Sequence, residues 1–296
     1  MAGYRRNKLV ILMFLAPAFL IVTFFEMIPV GSTIYFSFHN WPGIATAPLK
    51  YVGLQNYANI FQNDDFLRSL KNVLWYVFWS VIGQVGLGFT LALMIYHVRR
   101  GTRFYKASFF LPLILPATSI ALIWYFILFP TDMGVVNHLL DSLGLGTLKR
   151  AWLVNPNTAM AWIIIITTWS SIGYYTTIGL AALAGLPDEV MEAAEIDGAV
   201  GLRRIWSVVI PMIWESIRIS VVLVITGVLK IFDLIFILTD GGPNGTTHVP
   251  ATLMYKEAFE YNNYGGGSAI ATVIFLLSIV LSVLSLRVMG SGKREA

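Results

Sequence analysis

The residues best placed to do work lie between Leu186 and Pro211. Pro187 can open a helix, and Asp188 and Glu189 then complement the positive end of its dipole. Val190, Met191 and Ala194 supply an apolar stripe at helical spacing. Gly198 can take the left-handed conformation that ends a helix and lets the chain turn sharply. A second short helix through Ile205 and Trp206 would then run to Pro211. The chemistry this offers is recognition. One reading is an amphipathic helix lying in lipid headgroups. Against it, Asp188, Glu189, Glu192, Glu195 and Asp197 make the first half acidic, and anionic lipid would repel it. A protein partner fits better.

Signatures of catalysis are missing. There is no G-x-x-x-x-G-K-[ST] phosphate loop; Gly290-Ser291-Gly292-Lys293 lacks both the spacing and the strand–helix context. No H-E-x-x-H or G-x-S-x-G occurs, and His39, His97, His138 and His248 are scattered, which argues against a metal site. With no cysteine, disulfide and thiolate chemistry are excluded. The chain shows no means of its own to hydrolyse ATP, and no row of buried carboxylates of the kind a proton-coupled pump needs.

The elements that position the 186–211 segment follow from composition. Over 296 residues, 57% are hydrophobic and only 12% charged, about half the usual share. Mean hydropathy is +0.72. Such a chain cannot coat a water-facing surface, so lipid is its solvent. A crossing needs about 20 mostly apolar residues, and six stretches qualify: about 9–28, 73–96, 107–129, 158–181, 212–238 and 269–289. The expectation is one all-α integral membrane domain over 1–296, with six transmembrane helices. Arg5, Arg6, Lys8, Arg99, Arg100, Arg103, Lys106, Arg203, Arg204, Arg287, Lys293 and Arg294 then fall on one side. Lys50, Arg68, Lys71, Lys149, Arg150 and Lys256 fall on the other, in longer segments, so both termini are placed in the cytoplasm. The first span follows Arg5, Arg6 and Lys8 as a signal peptide would, but it is too long for a typical h-region and no clear cleavage site follows, so it reads as a retained anchor. The net charge of +4 is modest and gives no case for nucleic acid.

At this point a resemblance becomes specific. Glu192-Ala193-Ala194, then Gly198, then Val208-x-Ile210-Pro211, in an inner loop between two spans, resembles the EAA loop of ATP-binding-cassette (ABC) importer permeases. The family pattern ends in Ile-x-Leu-Pro, and Val208 and Ile210 are apolar variants of it. The resemblance implies a type I ABC importer permease fold, with 185–211 as a cytoplasmic coupling loop that docks on an ATPase subunit. Glu192, Ala193, Ala194, Asp197, Gly198, Val208, Ile210 and Pro211 are its candidate coupling residues. The chain would bind no cofactor, ATP and magnesium belonging to the partner ATPase. The implied assembly is a heterodimer with a second permease, two cytoplasmic ATPase subunits and an extracellular solute-binding protein, set in the cytoplasmic membrane of a bacterium or archaeon.

Residues 239–265 form an external loop in this arrangement. Gly241-Gly242-Pro243, followed by Thr247, is a turn cluster on its own chemistry. Beside the EAA loop it resembles the external Gly-Gly-Pro loop of maltose-type oligosaccharide importers, as does the stretch Tyr51 to Tyr57. The likeness is to the larger-subunit half of the permease pair. A sugar path needs aromatic faces and hydroxyl partners, which Trp169, Ser170, Ser171, Tyr174, Tyr175, Thr176 and Thr177 supply, Tyr174 at the position the family implies. Ordinary helix packing with an aromatic belt is the other reading. Thr226, Lys230 and Asp233 are polar positions of the fifth span, and Lys230 and Asp233 would share a helical face, as an ion pair or as a clasp to the partner permease. Gly227, Val228 and Ile231 are less polar than the maltose-type pattern, which leaves the solute open between a di- or oligosaccharide and a non-sugar such as glycerol phosphate. A stand-alone secondary carrier or channel would carry matched broken helices or inverted repeats, and neither is visible. A membrane-embedded enzyme would need an acidic or metal-binding cluster other than the EAA segment.

Overall fold

The computed structural model describes residues 2–96 and 102–290. His97, Arg99, Arg100, Lys293 and Arg294, with Ser291 and Gly292 of the tail segment, lie outside the described residues. Read from sequence as one permease domain, the chain divides into two compact units. The smaller comprises the chain up to Asn63 with Leu253–Val273, the larger Asp64–Thr252 with the stretch from Ile274 onward.

In the smaller unit, α1 (residues 2–36) continues well past Ile28, where the apolar stretch was expected to end. A π turn at Thr23–Met27 directly precedes Pro29, which has no amide to bond the carbonyl four residues back. The apolar window of α1 is not buried at all within the chain, with Phe14 82% and Phe25 77% exposed. A helix apolar all round requires lipid or another subunit around it. Beyond it, His39–Asn40 (β1) pairs antiparallel with Lys50–Tyr51 (β2), and α2 covers Gln55–Gln62. Asn56 donates to the carbonyls of Ser37 and His39, both at 2.9 Å, fixing the turn that leaves α1.

The larger unit is built on α3 (Asp64–Tyr96), which holds a π turn at Val81–Leu87. Next come α4 (Thr102–Ile114), α5 (Ala117–Ile127), α6 (Val135–Ser142) and α7 (Ala159–Ala184). After α7 the chain forms α8 (Asp188–Ile196), α9 (Gly201–Met212), α10 (Trp214–Leu229) and α11 (Asp233–Thr239). Two further helices, α12 (Pro250–Tyr255) and α13 (Tyr264–Gly290), run on from one unit into the other.

Among the described residues four helices are long and apolar enough to cross a membrane, and two bent pairs raise the total to as many as six. The third expected span is one of these pairs. α4 and α5 meet at 105° because Pro116 cannot donate to the ladder and disfavours helical backbone at Leu115. The fifth is broken too. α9 and α10 meet at 69°, and α10 stops at Leu229 instead of running on to Leu238.

Small residues set how closely α3, α4 and α7 pack. A Cβ on Gly173 of α7 would fall 2.0 Å from the Phe109 carbonyl oxygen, and one on Gly179 would fall 2.7 Å from Ala92 Cβ. Without a hydrophobic drive between helices in lipid, such close backbone approach is what holds a bundle. Gly179→Leu is expected to lower stability by about 1–3 kcal/mol, through overpacking. Gly227→Ala, where no atom lies within 4 Å, should leave it unchanged or slightly raised. Thermal unfolding of the two variants in the same detergent checks both.

Candidate functional site

The 186–211 segment folds as a helical elbow, and its bend has an identifiable cause. Pro187 caps α8 in extended conformation, with Asp188 and Glu189 in the first turn. At the other end Gly198 has φ +75°, a conformation that costs an L-residue strain. The Gly198 amide donates to the Glu195 carbonyl at 3.0 Å, and the Ala199 amide to the Ala194 carbonyl at 2.8 Å. This pair of bonds is a Schellman motif, which satisfies carbonyls at the helix end while reversing the chain. Ala194 and Ala199 are both buried beneath it.

The return arm α9 contains a π turn at Ile205–Val209 ahead of Pro211. Arg204 reaches Glu195 at 3.8 Å across the elbow, a loose surface pair that adds little stability. Glu192, Ala193, Asp197, Gly198 and Pro211 are exposed, whereas Val208 and Ile210 are half-buried. Around the tip, Ile196 is 86%, Leu202 73% and Trp206 70% exposed. Carboxylates beside large bare apolar side chains make a surface suited to being covered.

The aromatic and polar positions of the fourth and fifth spans, Trp169, Tyr174, Tyr175, Thr226, Lys230 and Asp233, take different surroundings. Tyr175 is buried, its ring 5.2 Å from that of Tyr174. Trp169 makes an edge-on contact with Trp124 at 5.5 Å and faces about 140° around α7 from Tyr174, five residues on. Tyr174 instead shares a partly open face with Ser170 and Thr177. Thr226 turns its hydroxyl onto the Val222 carbonyl at 3.0 Å. Lys230 and Asp233 do not share a helical face, because α10 ends before the first and α11 begins at the second. Among the described residues no ion pair joins them, and both side chains are exposed.

The 239–250 loop is tightly built. Asp240, Gly241, Asn244 and Gly245 all have positive φ, and the Gly242–Pro243 bond is cis. Thr247 is fully buried. Its hydroxyl donates to the Gly242 carbonyl at 2.7 Å and lies 2.8 Å from that of Thr239. Gly241 is indispensable to this packing, since a Cβ there would fall 1.9 Å from the His248 ring.

Sequence reasoning missed the anchors of this loop. Arg68 donates to the Asn244 carbonyl at 2.9 Å, and Asn72 to the carbonyls of Thr246 and His248 at 3.0 and 2.8 Å. About 175 residues of chain separate the partners, so no local pattern could reveal them. The segment between α5 and α7 was also read only as charge. There Lys149 bonds Asp132 and Asp141, each at 2.9 Å. The Lys149 ammonium holds the Asp141 carboxyl below its ordinary range, and the two carboxylates raise the lysine. Asn137 accepts from the Arg150 amide and the Trp152 indole and donates back to the Arg150 carbonyl. Among the described residues no group of three or more His, Asp or Glu side chains could hold a metal ion.

Asn72→Leu is expected to free the loop, at a cost of about 1–3 kcal/mol for the carbonyls left unpaired. Limited proteolysis should then cut between Asp240 and Pro250 while the rest of the chain stays resistant. The Lys149 clasp should release in acid: a carboxyl with a lowered pKa stabilises the fold above its unfolded value, and that contribution is lost as pH falls through the folded one. Proteolysis of 130–150 followed from neutral to acidic pH, with Lys149→Met as the already released reference, checks this.

Comparisons with known proteins agree with this geometry. The family model for the binding-protein-dependent transport system inner membrane component matches residues 84–294. A probable ABC transporter permease of Bacillus subtilis is 35% identical over 293 residues, covering 98% of this chain and 99% of its own. A trehalose/maltose transport system permease of Thermococcus litoralis is 32% identical over 296 residues, covering 99% and 97%. A chain from a bacterial ABC transporter involved in import of the acidic polysaccharide alginate shares the fold, with a TM-score of 0.83, 22% identity and 99% of each chain covered. The mostly helical architecture is thus the type I ABC importer permease fold. Because the match runs from the π turn of α3 through the elbow and along α13, the chain belongs to the family of inner membrane components of binding-protein-dependent transport systems.

Proposed function

We propose that this chain is one of two permease subunits of an ATP-driven, binding-protein-dependent importer of di- or oligosaccharides, working by alternating access. The observation that carries the reading is the elbow: a rigid reversal at Gly198 presenting exposed carboxylates and bare Ile196, Leu202 and Trp206. In this reading α1, α3, the α4–α5 pair, α7, α10 with α11, and α13 are the six spans, the elbow through Pro211 lies between two of them, and both termini are cytoplasmic. The elbow docks on an ATPase subunit that carries ATP and magnesium, and this chain itself catalyses nothing. Burying the three large apolar side chains would contribute about 1.5–3 kcal/mol each. Closure of the two ATPase subunits draws the elbows together and rocks the permease pair. Solute delivered by an external binding protein then enters a central path, which the Ser170–Tyr174–Thr177 face lines in part.

The sugar assignment rests on relatives. The permease of Streptococcus mutans is named for multiple sugar-binding transport, and that of Thermoanaerobacterium thermosulfurigenes for starch degradation products. The bare surface of α1 fits a second permease subunit or lipid around it.

Gly198→Val forces a β-branched residue into left-handed backbone and is expected to uncouple uptake or abolish ATPase association. Solute capture by the binding protein should be unaffected. Wild-type uptake by this variant would argue strongly against docking. Orientation is checked separately. Because the chain has no cysteine, Ile196→Cys and Asn244→Cys can be labelled with a membrane-impermeant thiol reagent. Labelling of position 196 only from the cytoplasmic side, and of 244 only from outside, is expected; the same side for both would overturn the topology.

A further inference from the structure

The start of α10 is tied to the end of α13 by two donors. The Trp214 indole N–H donates to the Met289 carbonyl at 2.9 Å, and Arg218 Nη2 donates to the Leu286 carbonyl at 3.0 Å. Both carbonyls lie in the last described turns of α13. Here the donors come from a different helix, about 70 residues away in sequence.

The guanidinium is already charge-balanced. Its Nη1 bonds Glu215 at 2.6 Å, and the Arg218 side chain is 17% exposed. Its second contact, to the Leu286 carbonyl, is therefore not needed for neutralisation. Gly290 leaves room for it, since a Cβ there would sit 2.9 Å from Nη2. Trp214 is also the first residue after the 69° bend, and its ring lines an apolar groove of about 640 Å³ together with Leu202 and Trp206 of α9. Trp214 thus shares a groove with the return arm of the elbow and bonds the last helix through its N–H.

We propose that Trp214 and Arg218 are positioning residues that make the end of the last helix move as one body with the elbow. The proposal rests on the importer reading for its purpose: motion imposed on α9 would reach α13 as well as α10. Without the clasp the elbow would tilt α10 alone.

The test places spin labels on Ser207→Cys of α9 and Leu284→Cys of α13 in the otherwise cysteine-free chain. In the assembled transporter, the distance between the labels is expected to be the same without nucleotide and with Mg-ATP trapped by vanadate. In Trp214→Phe/Arg218→Met it should shift on trapping, while ATP hydrolysis continues. A wild-type distance that moves on trapping as far as the variant's would overturn the proposal. The same labels on the purified chain in nanodiscs read the clasp without any partner. Longer distances should rise about tenfold in population in the variant, as loss of two such hydrogen bonds implies; equal distributions would overturn the proposal. Trp214→Phe alone, which keeps the ring and loses only the donor, serves if the double variant fails to fold. Failure of the wild-type chain to purify with any ATPase would remove the importer reading and leave the nanodisc measurement to decide the clasp.

Discussion

A backbone that crosses hydrocarbon has no water to turn to, so each amide and carbonyl released by a break must be satisfied by the protein itself. That constraint orders this structure. The chain breaks its helices at several points, and nearly every break is repaired within a few residues. At the end of α10 the Lys230 and Ile231 amides tighten onto the Gly227 and Val228 carbonyls, at 3.2 and 3.1 Å. At the α9–α10 bend the Ile213 amide still reaches Val209 and the Ile217 amide reaches Ile213, so part of the ladder is kept across the turn. At Gly198 the Schellman pair does the same work at an exposed tip. In the last described turns of α13 the Met289 and Leu286 carbonyls also receive Trp214 and Arg218 from a distant helix.

Close packing is the second organising feature. Gly173 and Gly179 bring α7 against α4 and α3 at separations that leave no room for a methyl group. A bundle joined in this way moves as rigid pieces, with bending confined to places such as Leu115–Pro116 and Lys230–Phe232. The tied loop at 239–250 and the Lys149 cluster stiffen the polar end of the larger unit. Flexibility and rigidity are therefore segregated along the chain, as the proposed alternating access would require.

Much of this was readable because the physics was local. The reversal at Gly198 follows from an acidic first turn, an apolar stripe and a glycine at the right distance, all within one short segment. Pro116, a proline inside an apolar run, stands at the 105° bend. The fifth span misled for an equally physical reason. An apolar run from Met212 to Leu238 says that lipid or protein surrounds it, but hydropathy is blind to whether the backbone inside is one helix or two. Lys230 and Asp233 consequently looked like neighbours on one face and are not.

Composition, charge placement and the 186–211 spacing were enough by themselves to determine a helical membrane protein with an elbow between two of its crossings, since each depends on neighbours within a turn or two of helix. Only the tertiary structure decided that Tyr175 is buried while Tyr174 is open, that Arg68 and Asn72 hold the far loop, and that Trp214 and Arg218 bond carbonyls of the last helix. Those pairings join residues far apart in sequence, where close approach and unpaired carbonyls are created by packing and leave no periodic trace in the chain.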